Sequence, residues 1–239
     1  MLVLGGLSAV VFDFGTGSPL RSMVPSHSAR LLITGLVFAG FGSLVAISPL
    51  GRRSGAHLNP AVTVGFWCER HLHPHDLVGY IAGQCLGAIV GAGLLRLAWG
   101  GRAESVRYGI TAPGHGLSAL EAAGVEALMT SILVLTIFLF VSSTATARWT
   151  PLAVWIVVAV LVWQGAPYTG TSLNPARSLG PALIGGDWRD YWVYVLGPLG
   201  GSALAVACWA LIPRTTLTAK LFHDTGYPST LASRLADGS

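Results

Sequence analysis

The sequence is short of charge: only 10% of its residues are Asp, Glu, Lys or Arg, against roughly a quarter in an ordinary soluble domain. That deficit excludes a water-solvated globular surface. Cysteine is scarce too. Cys68, Cys85 and Cys208 sit in or beside apolar stretches without metal-ligand spacing, which excludes a disulfide framework and reads as small buried apolar residues. Basic residues are not clustered, for Arg52-Arg53 is the one adjacent pair among 14 Lys and Arg. A net charge of +4 and a pI near 9.3 therefore describe scattered headgroup-facing cations, not a nucleic-acid groove. No nucleophile–base pair falls in the apolar stretches, so no enzyme is indicated and no cofactor or metal is implied. What remains is a chain that is 52% hydrophobic with mean hydropathy +0.63, the composition of an integral membrane protein.

The chain is doubled. His57-Leu58-Asn59-Pro60-Ala61-Val62-Thr63 returns as Ser172-Leu173-Asn174-Pro175-Ala176-Arg177-Ser178, with the two Asn 115 positions apart and a Gly four residues before each (Gly55, Gly170). Asn before Pro predicts a helix start, since the Asn oxygen caps a free amide and Pro's fixed φ and missing N–H suit the first helical position. The helices that follow are short, 60–67 and 175–183, about half the thickness of a bilayer core. Broken helices among long apolar runs survive in lipid only where they line a cavity.

The pattern predicts an all-α membrane protein with six transmembrane helices and two re-entrant half-helices in inverted three-helix repeats. The first repeat covers 1–99, a Gly-rich polar loop 100–118, the second repeat 119–212 and a polar, poorly ordered tail 213–239. Spans are expected at 29–48, 76–99, 119–142, 151–166 and 190–212. The opening run Met1–Gly15 is apolar but too short for a full crossing, and reads as a truncated start. Gly83, Gly87 and Gly91 share one helical face, which is expected to pack tightly on another helix. The histidines of Glu69-Arg70-His71-Leu72-His73-Pro74-His75-Asp76 suggest a metal site, but Pro and the loop setting favour a solvated connector. Three spans per half is an odd number, so the halves lie with opposite orientation and the two Asn-Pro starts meet near the midplane. Charge does not orient the chain: with both termini on one side, that side holds seven of the 14 Lys and Arg and the other side seven.

The paired Asn-Pro-Ala motifs resemble those of the aquaporin and aquaglyceroporin, or major intrinsic protein, family, and Asn174-Pro175-Ala176-Arg177-Ser178 is especially similar. The resemblance implies a passive channel for water and small uncharged solutes of glycerol or urea size, in a cell membrane, as a homotetramer with cytoplasmic termini. The physics of the motifs agrees. Asn59 and Asn174 would each cap a half-helix and turn an NH₂ donor to the passage, and two converging helix N-termini repel cations but not neutral solutes. Pro60, Ala61, Pro175 and Ala176 complete that midplane. Arg177 opposes its own helix dipole and gains nothing locally; the family pattern places it at the outer constriction. Counting back from the motifs by the same pattern places Ala39, Val162 and Thr171 beside it, and a slip of one residue would substitute Phe38 or Trp163. This set departs from the Phe and His of strict water channels, and Ser178 stands where glycerol facilitators carry Asp. Glu126 is an intramembrane carboxylate that must be paired or protonated; in the family such a Glu accepts hydrogen bonds from the half-helix loops. Glu126 and His57 are therefore expected to be structural supports. Two other classes fit in part: a secondary transporter, which also uses inverted repeats but needs midplane titratable groups, and a non-conducting membrane protein of the same fold.

Overall fold

The structure is a computed structural model and describes residues 1–114 and 116–212. The tail expected from 213 onward lies outside the described residues. Six apolar helices run as Leu2–Phe14, His27–Ile47, Pro74–Trp99, Ala119–Val141, Thr150–Thr169 and Val193–Trp209, referred to as spans one to six. Spans two to five are long and apolar enough to cross a membrane; spans one and six, with 13 and 17 residues, are shorter. The half-helices are Pro60–Cys68 and Pro175–Gly185. Local chemistry sets these boundaries. Span four opens on a capping box, with Ser118 accepting from Glu121 N while the Glu121 carboxylate accepts from Ser118 N. Span three starts at Pro74 under a histidine cap, His73 Nδ1 accepting from His75 N at 3.3 Å, which gives that histidine run a role in ending a connector.

Two boundaries and one packing expectation differ from the sequence reading. The 100–118 stretch is not uniform loop: among the described residues it holds a short helix, Gly101–Ser105, and a turn, Arg107–Gly109. Span five runs three residues beyond 166 and through Pro167 to Thr169. Two of its last carbonyls find partners outside the helix, from Gly114 N to Tyr168 O at 2.7 Å and from the Tyr194 hydroxyl to Thr169 O at 3.0 Å. The glycine face of span three does not pack tightly. A Cβ on Gly83 or Gly87 would meet nothing within 4 Å, and only Gly91 is in close contact, against Val3 and Leu4 of span one. A cavity of about 580 Å³ lies along that face, bounded also by Met1, Tyr80 and His57.

The doubling of the sequence is repeated in the packing. Span four packs on spans five and six as span one packs on two and three; the first half-helix packs on spans three and six, and the second on the same two. Exchanging spans one, two and three for four, five and six maps this pattern onto itself, which is what an inverted repeat requires. Spans four and six approach closely because glycines sit at the contact, Gly197 against Ala123 and Glu126 and Gly201 against Ala127 and Thr130. Those glycines serve the fold of the single chain. The polarity runs inside out: Thr34, Ser43, Glu126, Thr130 and Thr169 are buried while Leu86, Val90, Leu128, Leu139, Ile156 and Leu196 are exposed. That is the surface of a multi-pass protein facing lipid.

The paired half-helices and the passage between them

Each half-helix is entered through the same backbone sequence. Gly55 and Gly170 have φ of 77° and 74°, the residues after them, Ala56 and Thr171, have 49° and 49°, and the residues before each Asn, Leu58 and Leu173, have 54° and 56°. Left-handed conformations at four non-glycine residues cost of order 1–3 kcal/mol each and persist only where neighbours over-determine them. Here the neighbours are identifiable. Asn59 Oδ1 accepts from Ala61 N at 2.9 Å, and Asn174 Oδ1 accepts from Ala176 N and Arg177 N at 3.0 and 3.2 Å. Each amide nitrogen then reaches across: Asn59 Nδ2 donates to Leu173 O at 2.7 Å and Asn174 Nδ2 to Leu58 O at 2.9 Å. One N–H of each carboxamide thus clasps the opposite loop, and these bonds leave the second N–H uncommitted. The sequence reading had not divided the two donors in this way.

Two carboxyl or imidazole supports stand behind the loops. Glu126 is fully buried, and accepts from Thr169 Oγ1 at 2.7 Å, Ser172 N at 2.8 Å and Leu173 N at 2.8 Å. His57 stacks on Phe66 at 4.9 Å, and its Nδ1 lies 3.2 Å from Thr63 Oγ1, which donates to Asn59 O at 3.0 Å and accepts from Gln84 Nε2 at 2.9 Å. Ser172, Ser178 and Thr111 form a hydroxyl chain that sequence reasoning missed, with Oγ–Oγ distances of 2.6 and 2.8 Å. Nothing in the primary sequence near Thr111 signals it, because the partner is 67 residues away.

Arg177 is 5% exposed, and its Nη1 donates to Gly109 O at 2.6 Å. The segment carrying that carbonyl is held from outside: Asp187 pairs with Arg107 and with Arg189, whose Nη2 is 2.9 Å away. Hydrogen bonds from Arg189, reinforced by the charge of Arg107, hold the Asp187 carboxyl well below the usual carboxylate range. The clamp is therefore intact at neutral pH and opens only in strong acid. Asp187→Asn is expected to loosen the Arg107–Gly109 turn, seen as faster amide exchange there; exchange identical to the native chain would contradict this.

Three cavities border Arg177: the one of about 580 Å³ along span three, which Asn174 and Ala176 also line, and two more that Phe38 shares. The outer of these two, about 250 Å³, is lined by Thr34, Phe38, Val162, Thr171 and the Gly109 backbone, and the inner one, about 100 Å³, by Ala39, Val62, Asn59, Val158 and Asn174; Arg177 and Phe38 border both. The guanidinium lies over the Phe38 ring at 5.7 Å. Of the four constriction positions read from the sequence, Arg177, Val162 and Thr171 share the outer cavity and Ala39 does not, lying deeper instead. Phe38 takes the place beside Arg177. One residue turns a helix by about 100°, so the small Ala39 and its neighbour present different faces, and the larger side chain reaches further. Trp163, the other slipped candidate, points elsewhere and donates to Ser28 Oγ at 2.7 Å.

Residues 3–209 match the Major intrinsic protein family. The chain belongs to that family. As a major intrinsic protein it is 37% identical to human aquaporin-4 over 212 residues, which is 86% of this chain and 61% of that one. It is 35% identical to aquaporin TIP4-1 of Zea mays over 207 residues, 86% of this chain and 78% of the relative. Against bovine aquaporin-4 the identity is 41% over 179 residues, 71% of this chain and 54% of the relative, so the chain spans little more than half the length of that protein. The fold is also that of the aquaglyceroporin from Plasmodium falciparum, known from an X-ray structure: the TM-score is 0.72 at 23% identity, covering 88% of this chain and 91% of that one. Six spans and two inverted half-helices are thus the family's architecture carried by this major intrinsic protein.

Proposed function

We propose that the chain is a passive channel for water and small uncharged solutes, and that the passage runs through the outer cavity, past Arg177 and Phe38, to the paired Asn59 and Asn174. The observation that supports this reading best is the reciprocal clasp of the two Asn side chains, each with one N–H still free. Two fixed donors at the meeting of two helix N-termini suit a neutral oxygen and oppose a cation. Arg177, Phe38, Val162 and Thr171 form the constriction. Ala39 widens the passage below it, and Val162 is smaller than a His, so glycerol- or urea-sized solutes pass with water. Pro60, Ala61, Pro175 and Ala176 fix the midplane, while Glu126 and His57 hold the loops. A transporter is disfavoured because Glu126, the carboxylate at that depth, has its oxygens committed to Thr169, Ser172 and Leu173.

Osmotic shrinkage of proteoliposomes with a graded series of neutral solutes tests the reading. Fast water efflux with measurable glycerol and urea uptake is the expected result; water passage with exclusion of every larger solute would contradict the predicted width. Phe38→Ala should then raise glycerol over water permeability by at least about threefold, the equivalent of removing a barrier worth one lost apolar contact of under 1 kcal/mol. Thr171→Cys should make the channel mercury-sensitive, while the native cysteines, Cys68, Cys85 and Cys208, are free but line neither cavity at the constriction. Strong mercury inhibition of the native chain would relocate the passage.

In the cell the chain acts as a homotetramer in the plasma membrane with cytoplasmic termini, one passage per subunit. The supporting observations are the family membership and the apolar outer faces of the spans. The glycines of span six are used inside the chain and lend no support. Native mass spectrometry from lipid showing only monomers would overturn the tetramer.

A further inference from the structure

Span one carries a carboxylate that none of the proposed pore roles uses. Asp13 is 1% exposed and accepts a hydrogen bond from the Thr34 hydroxyl of span two. A buried acid amid apolar helices is costly and marks a functional position in a membrane protein. Its partner is the informative residue, since Thr34 lines the outer cavity on the same helical face as Leu31 and Phe38, and four residues of helix, about 6 Å, separate it from Phe38. Arg30 is one turn further out on that face, buried, with its Nη1 donating to Val24 O and Pro25 O at 2.7 and 3.1 Å and its guanidinium 5.2 Å from the Phe14 ring.

A threonine hydroxyl has one proton and two lone pairs. In a helix the proton ordinarily goes back to the carbonyl four residues earlier; here it goes to Asp13. Against an ionised Asp13 the hydroxyl proton is committed to the carboxylate, and Thr34 can only accept. Farther down the same cavity Arg177 can only donate. The rest of the wall is mostly apolar, from Val10, Phe14, Leu31, Ile110 and Val162, with His27 and Thr171 as its other polar side chains. A solute carrying donors and acceptors at once can be held at both ends, and water alone needs no such pairing.

We infer that Thr34, oriented by Asp13, is a specificity residue of the outer cavity, accepting from the O–H or N–H of a small polyol or amide as it approaches Arg177. The inference rests on the channel reading and adds to it a specificity position outside the constriction. Asp13 acts through Thr34 and is a positioning residue.

The test compares the native chain with Thr34→Val, Thr34→Ser and Asp13→Asn in proteoliposomes, reading glycerol and urea permeability divided by water permeability in the same preparation. Thr34→Val keeps the shape and removes the acceptor, and the ratio is expected to fall about threefold to tenfold, the worth of one hydrogen bond. Thr34→Ser should restore it. Asp13→Asn frees the hydroxyl proton from its fixed carboxylate partner and should lower the ratio in part, which decides the matter if the valine variant does not fold. An unchanged ratio in these variants, an equal fall of solute and water flux, or a native chain that passes water but no glycerol or urea would each overturn the inference. A native chain that passes neither water nor solute would overturn the channel reading itself, a separate result.

Discussion

Arg177→Val is expected to raise proton and small-cation leak by as much as about a hundredfold while leaving neutral solutes a passage at least as open. The guanidinium is nearly buried, borders both the outer and the inner cavity, and is fixed by Gly109 O and the Phe38 ring. At an effective dielectric constant near 20, a unit charge about 5 Å from a permeating cation opposes it by roughly 3 kcal/mol, which is the order of a hundredfold in rate. The dipoles of the two half-helices remain in the variant, so the leak stays below that of an open pore. Arg177→Lys should fall between, because it keeps the charge but lacks the planar fork that reaches Gly109. Liposomes loaded with a pH dye report the difference. An unchanged proton conductance in folded Arg177→Val would remove Arg177 from the selectivity role.

The second large effect is on stability. Glu126→Ala should lower stability by about 3–9 kcal/mol, because it strands the Thr169 hydroxyl and the Ser172 and Leu173 amides, each costing about 1–3 kcal/mol when buried without a partner. That is a large share of the roughly 5–15 kcal/mol that holds a domain together. Glu126→Gln keeps one acceptor oxygen and sets an NH₂ against a backbone N–H, so about half the loss is expected. Thermal melting in mild detergent ranks the three proteins. A melting temperature for Glu126→Ala equal to the native value would show that the loops are held by something else.

Much of this architecture was legible in the sequence because its causes are local or periodic. Asn-Pro starts, glycine four residues earlier and runs of apolar residues located the half-helices to within two residues at their ends, and the motif's return disclosed the inverted repeat. What escaped depends on contacts distant in sequence. The span expected at 151–166 runs on through Pro167 to Thr169, where Gly114 and Tyr194 supply donors that no local pattern announces. The glycines of span three read as a packing face; in the structure Gly83 and Gly87 border a cavity. In span two the counted residue, Ala39, lies off the outer cavity and its neighbour Phe38 lies beside Arg177, since counting fixes position along a helix but not which of two adjacent side chains is long enough to reach. Asp13 shows in the sequence only as one charged residue in the apolar run Met1–Gly15, its partner Thr34 being on another span.

The central claim is that water crosses a passage closed to protons, and one experiment reads both at once. Proteoliposomes carrying the native chain and an internal pH dye are given an osmotic step and a pH step in the same stopped-flow run. Rapid, weakly temperature-dependent shrinkage is expected, with dye response no faster than in empty liposomes. Shrinkage no faster than empty vesicles, or proton entry that keeps pace with the water, would contradict the claim.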